Sequence, residues 1–325
     1  MYNINKIAES FKQNKKIALY FDQDLSARTS FKIGGKAALL AEPSDEEALA
    51  LVLAEIKKDG LPYFVLGGGT NVLFDDAGFD GIVVSTKKLA GIDVIVGRNS
   101  VIPALDAGIL KPTVIVRAGA GASMASLVSF AERKGLTGLE EFAGLPGTVG
   151  GAVYMNARCF EKEISQVAGK ISWLEWDQAA AAFVQKEAEF APSDWTYKKS
   201  PFSGSGRVVV GAQFALAKGD KAQIAQKGAA FVQQRKDKGH YKAPCAGSVF
   251  KNNRAFGRPT GKIIDELGLK GERRGGAQIA PFHGNIIINE GGASSADVRA
   301  LIELCKKSAR DRFGIDLEEE IVLVD

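Results

Sequence analysis

Ala48, Leu51, Val52 and Ile56 recur at helical spacing behind the polar pair Ser44 and Glu47. Apolar residues spaced this way share one face of a helix, and a serine three residues before a glutamate reads as its capping box. Gly60 closes this helix and Pro62 prevents its continuation. The short apolar run Tyr63–Leu66 is a buried strand leading straight into three glycines. β-rich runs follow at Ile82–Val84, Ile92–Val96 and Thr113–Arg117. A second helix is predicted from Ser123 to about Lys134, stopped by Gly135.

The stretch Ala143–Ala157 then reads as a long loop, with four glycines and a proline among small residues. Beyond it, Ile171–Trp176 and Arg207–Leu216 are predicted strands around a weakly patterned, alanine-rich middle at 178–191. Helices are predicted over Asp220–Lys238, Thr260–Leu267 and Ser294–Gly314, with strands at Asn285–Asn289 and Ile321–Val324. The pattern divides into a glycine-looped α/β half up to about 218 and an α+β half after it.

Composition narrows the class. A chain of 325 residues has room for two domains, and its net charge of +4 comes without a Lys/Arg block, which excludes a nucleic-acid arm. The apolar runs are strand-length, so no membrane span is expected. Met1–Lys16 has no apolar core followed by a small-residue cleavage site, and three cysteines without zinc spacing argue against a disulfide framework; a reducing cytoplasm is the expected setting. The 37 glycines exceed the usual share of about 7%, and many sit in the two loops.

Those loops carry the first chemical signal. Gly67, Gly68 and Gly69 with Thr70 and Asn71 form either a tight turn or a phosphate cradle. The second loop supplies Gly144, Pro146, Gly147, Thr148, Gly150 and Gly151. Free backbone N–H groups in such loops bind anions, which points to a dinucleotide. Neither loop has the spacing of a dinucleotide Rossmann motif. Ser248, in Gly247-Ser248-Val249-Phe250-Lys251-Asn252-Asn253, is a turn serine or a proton donor, with no histidine nearby to make it a nucleophile. Lys270 opens a basic run to Gly276 that is a solvated turn or a seat for an anionic substrate. His240 and His283 are too few for a three-histidine metal site; His283 is either structural or a substrate contact. Glu318–Glu320 is a solvated charge run or a carboxylate poised for acid–base work.

Taken together and in this order, the loops 67–71, 143–157 and 247–252, then Gly275-Gly276-Ala277-Gln278 and His283-Gly284-Asn285, resemble the UDP-N-acetylenolpyruvoylglucosamine reductase family from about Thr29 to Ile321. The resemblance implies an α+β fold: an N-terminal segment (1–28), a vanillyl-alcohol-oxidase-type (PCMH-type) FAD-binding unit (29–218), then an α+β substrate-binding domain (219–325). It implies FAD and NADPH as cofactors, a nucleotide-sugar substrate and no obligate protein partner. NADPH reduces FAD, and the flavin passes hydride to the terminal enolpyruvyl carbon. By match to the family motifs, Ser248 donates the proton, Glu320 assists it, and Asn252 and Lys270 contact the substrate. The spacing after Tyr197 resembles the shorter family type, without an extra tyrosine-bearing loop.

Two departures stand out. Tyr197-Lys198-Lys199-Ser200 resembles a family stretch whose second residue is usually a catalytic arginine, so Lys198 takes that role as a point charge without the bidentate fork. Arg158 replaces a family glycine and is a candidate to supply part of the missing guanidinium. Two rival readings are a non-catalytic nucleotide-sugar or flavin-binding homologue, and an oxidase holding its flavin covalently through histidine. The pairing of Ser248 with Glu320 argues against the first. Neither histidine adjoins a glycine loop in the sequence, which argues against the second.

Overall fold

A computed structural model describes residues 4–95 and 113–325; Val96, the expected end of one strand, lies outside them. The chain runs α1 (Ile4–Phe11), β1 (Ile17–Asp24), β2 (Lys36–Pro43), α2 (Glu46–Lys58), β3 (Tyr63–Leu66), β4 (Val72–Phe74), β5 (Phe79–Ser85) and β6 (Ile92–Ile95). There follow β7 (Thr113–Gly119), α3 (Met124–Arg133), β8 (Leu136–Thr137), α4 (Val149–Tyr154), β9 (Arg158–Cys159), β10 (Lys162–Glu163), β11 (Ala168–Asp177), β12 (Ala182–Ala188) and β13 (Val208–Lys218). The remainder is α5 (Lys221–Asp237), α6 (Thr260–Glu266), β14 (Arg273–Arg274), β15 (Ala277–Ile279), β16 (Ile287–Asn289), α7 (Ser295–Phe313) and β17 (Val322–Val324). The architecture is α+β, as expected. It resolves into two compact units: Met1–Tyr20, Leu40–Gly68 and Gly81–Gln233 in the first, and Phe21–Leu39, Gly69–Asp80 and Gln234–Asp325 in the second.

In the first unit an antiparallel sheet runs β12-β11-β13-β7-β6, with β8 also on β13. Its core holds Phe142, Phe202 and Phe214, fully buried with Met124 and Leu127 of α3 and Val149 and Val153 of α4. The alanine-rich 178–191 segment forms a hairpin: Asp177 pairs with Ala182 and Ile171 with Ala188. Asp177 Oδ1 accepts from the N–H groups of Ala179 and Ala180, each at 2.9 Å, and this Asx turn makes the tip. The strand β3 pairs in parallel with β5 (Leu66 opposite Ser85) in a sheet of order β1-β2-β5-β3. Its β1 arises within the stretch read from sequence as an N-terminal segment.

Three expectations are corrected here. The cap of α2 is Asp45, whose carboxylate accepts from Ala48 N at 2.8 Å. Ser44 instead donates its N–H to Lys16 O. Asp caps as well as Ser and adds a charge favourable to the helix N-terminus. The buried stripe is Ala48, Leu49, Val52, Leu53 and Ile56, while Leu51 is exposed. The 143–157 stretch is not all loop: α4 occupies Val149–Tyr154 behind an N-cap at Thr148.

In the second unit, β14-β15-β16 form a small antiparallel sheet and β17 pairs in parallel with β4, Val322 opposite Val72. The α7 helix is bounded by a Ser294–Asp297 capping box and by Gly314 in the left-handed conformation at φ 66°. Phe31, Leu73, Phe250, Ile263, Leu301 and Ile302 build the core of this unit.

Candidate active site

The two glycine loops meet in the first unit. A Cβ on Gly68 would lie 2.7 Å from Gly147 Cα, and one on Gly67 would lie 2.7 Å from Thr148 Oγ1. Only backbone without side chains allows this approach. Among the described residues, the N–H groups of Gly67, Gly68 and Thr148 join no hydrogen bond. Gly144 (φ 74°) and Gly147 (φ 104°) turn the chain on either side of Pro146. Gly150 serves packing instead. Its N–H donates to Ala120 O at 2.9 Å, and its missing Cβ leaves room for Ala120. The N–H of Gly151 goes to Thr148 Oγ1 within the cap. This cradle of unspent donors fits the diphosphate of a dinucleotide cofactor.

The same stretch secures Lys198. Thr196 and Lys199 exchange N–H···O bonds of 3.0 Å, closing a turn with Tyr197 and Lys198 at its centre. Lys198 sits at φ 59°, a conformation uncommon for a residue with a side chain. Asn156, fully buried at φ 46°, donates to Thr196 O at 3.0 Å and to Glu163 at 2.9 Å. Ser200 and Ser203 hydroxyls donate to Tyr154 O, at the end of α4. Sequence reasoning gave Asn156 no role; its place inside the 143–157 stretch was the available signal.

In the second unit, residues 248–251 lie between two other segments. Val249 N donates to Asn285 O, while Asn285 exchanges bonds of 2.9 and 2.8 Å with the backbone of Phe250. On the other side, Glu320 N donates to Val249 O at 2.7 Å and Lys251 N to Glu318 O at 2.9 Å. Asn71 joins through Nδ2 to Glu320 O at 3.0 Å, and its own carbonyl accepts from Val322 N. Ser248, Glu320 and Asn71 are thus brought together. Gly69 (φ 66°) packs where a Cβ would strike Arg28 O, and half-buried Thr70 follows it. Glu318 is ion-paired to Lys251 and Glu319 to Lys306, so the glutamate run divides into two fasteners and Glu320. Among the described residues the Ser248 hydroxyl joins no hydrogen bond.

The other expected substrate contacts have structural partners. Asn252 Oδ1 accepts from Thr260 N at the start of α6, and Lys270 pairs with Asp265 at 2.5 Å. His283 Nδ1 accepts from Asn285 N at 3.2 Å. Its ring lies 5.9 Å from that of His240. Burial, then Arg235 and His283, lower the His240 pKa to about 4, from 6.5. The folded state therefore binds fewer protons at this site than the unfolded chain between pH 4 and 6.5, and stability rises with pH across that window. We expect His240→Gln to flatten this limb in urea melts at a series of pH values; an unchanged slope would refute the assignment.

The fold and this cradle define a flavoprotein, and residues 37–171 match the FAD binding domain family. Residues 239–324 match the C-terminal domain of UDP-N-acetylenolpyruvoylglucosamine reductase. The chain belongs to the UDP-N-acetylenolpyruvoylglucosamine reductase family. It is 44% identical over 311 residues to that reductase of Treponema denticola, covering 93% of this chain and 92% of that protein. It is 35% identical to the Treponema pallidum reductase, covering 92% and 91%. The crystal structure of UDP-N-acetylenolpyruvylglucosamine reductase from Thermus caldophilus aligns with a TM-score of 0.71 at 28% identity, over 95% of this chain and 99% of that one. Among the described residues no helix is long and apolar enough to cross a membrane.

Proposed function

We propose that this flavin oxidoreductase of peptidoglycan synthesis converts UDP-N-acetylglucosamine enolpyruvate to UDP-N-acetylmuramate, with NADPH as reductant and Ser248 as proton donor. The observation that carries the reading is the locking of 248–251 against 285 and 318–320, which sets Ser248 and Glu320 on adjoining segments in a chain of this family. When bound and reduced by NADPH, FAD would supply hydride to the terminal enolpyruvyl carbon. Negative charge then develops on the adjacent carbon and its carboxylate. Lys198 stabilises that charge as a compact cation, and the Ser248 hydroxyl gives its proton to the carbon. Glu320 supports proton delivery through Ser248. Asn252 and Lys270 hold the nucleotide sugar, and His283 contacts it.

An anaerobic visible spectrum tests this. The flavin band should bleach with NADPH and return with the enolpyruvyl substrate. In Lys198→Met the bleaching should persist while the return slows by roughly 10²–10³-fold, the cost of removing one preorganised charge stabiliser. Normal return in that variant would remove Lys198 from the mechanism. Bleaching without return in the wild type would remove the substrate or proton-donor assignment.

A further inference from the structure

Two cations share the ring of Tyr197. Arg158 Cζ lies 5.6 Å from its centroid and Lys198 Nζ 6.0 Å. The Arg158 side chain is mostly buried and its charge is already met: it is ion-paired to Glu161 and lies 4.0 Å from Glu163. Glu163 also accepts from Asn156, which holds Thr196 at the base of the Lys198 turn. A guanidinium so neutralised is a poor receptor for another carboxylate, but a well-tethered plate for an aromatic face. Lysine has the opposite need. Its long stem has many rotamers, and a point charge has no fork to orient it.

We propose that Arg158 is a positioning residue: tethered by Glu161 and Glu163, it fixes the Tyr197 ring, and the ring fixes the Lys198 ammonium for the substrate carboxylate. The proposal rests on the role assigned to Lys198 above. The network explains how one strained turn holds a flexible cation in place. It also gives Arg158 a role other than supplying a second charge to the substrate.

The test is a double-mutant cycle of Arg158→Ala and Lys198→Met in the FAD-loaded enzyme, read as kcat and KM for the enolpyruvyl substrate. The rate of flavin bleaching by NADPH is followed alongside. Arg158→Ala should lower kcat by roughly 10–100-fold, as a misplacement of about 1 Å does, with KM and bleaching little changed. Arg158→Lys should recover part of the loss. In the Lys198→Met background, Arg158→Ala should cost nothing further, because its effect runs through the missing ammonium. Additive losses would mean that Arg158 acts on the substrate itself, and slowed bleaching would mean general damage; either overturns the proposal. Wild-type kcat in Arg158→Ala with an impaired Lys198→Met overturns this inference alone. Wild-type kcat in Lys198→Met overturns the Lys198 reading with it. Should Arg158→Ala not fold, Tyr197→Leu removes the ring while leaving the arginine's ion pairs, and the same cycle is read with it.

Discussion

Ser248→Ala is expected to bind FAD, to bleach with NADPH at the wild-type rate, and to return its oxidised band with the enolpyruvyl substrate roughly 10²–10⁴-fold more slowly. That range is the contribution of a positioned general acid. The two half-reactions should separate because Ser248 is held by its backbone: it bridges to Ile286, and its neighbour Val249 bonds Asn285 and Glu320. The hydroxyl fastens nothing among the described residues, so its removal leaves the segment in place. Stopped-flow absorbance measures both phases in one sample. A return phase within a factor of a few of wild type would end the case for Ser248 as the donor. Glu320→Gln is the companion variant, and its loss should appear in the same phase.

Gly68→Ala is expected to empty the protein of flavin. The added Cβ would lie 2.7 Å from Gly147 Cα and 3.3 Å from Thr148 N. Both are backbone atoms, so relief requires the loops to separate. Strain of about 1–3 kcal/mol on the cofactor-competent conformation weakens FAD by roughly 10–100-fold. Gly91→Ala is the matched control, because its Cβ would meet only Asp93 Oδ2 at 3.9 Å. The flavin-to-protein absorbance ratio after purification, followed by FAD titration, checks the pair. Equal flavin content in both variants would show that the contact of the two loops does not build the cofactor site.

Much of this arrangement was legible in the chain because its signals are local. Gly60, Gly135 and Gly314 stand at the ends of their helices, and the helices read from Ser123 and Ser294 begin there, where the structure shows each serine as the N-cap. The glycine loops were visible because so few residues tolerate the approach they make. Other features depended on competition or on distance. Ser44 and Asp45 are both good caps; in the fold Ser44 N pairs with Lys16 O and Asp45 takes the capping. Gly150 and Gly151 disguise α4, since glycine disfavours helices; packing against Ala120 overrides that preference. The β12 strand, at the edge of its sheet, buries only Phe183 and so shows little apolar alternation. The neighbourhood of Arg158, Asn156 and Tyr197 exists only after β9 and the 196–199 turn have met, and no spacing announces it.

The bond from Asn71 to the carbonyl of Glu320 spans 249 residues of chain. A ribosome adding about 5–20 residues per second takes some 10–50 s to cover that distance. Throughout that time the loop after Gly69 has been made but lacks the backbone that will hold it. The segment that carries Ser248 is therefore among the last parts of its unit to mature, and a nascent chain interrupted before residue 318 would carry Asn71 and residues 248–251 without the backbone that fastens them.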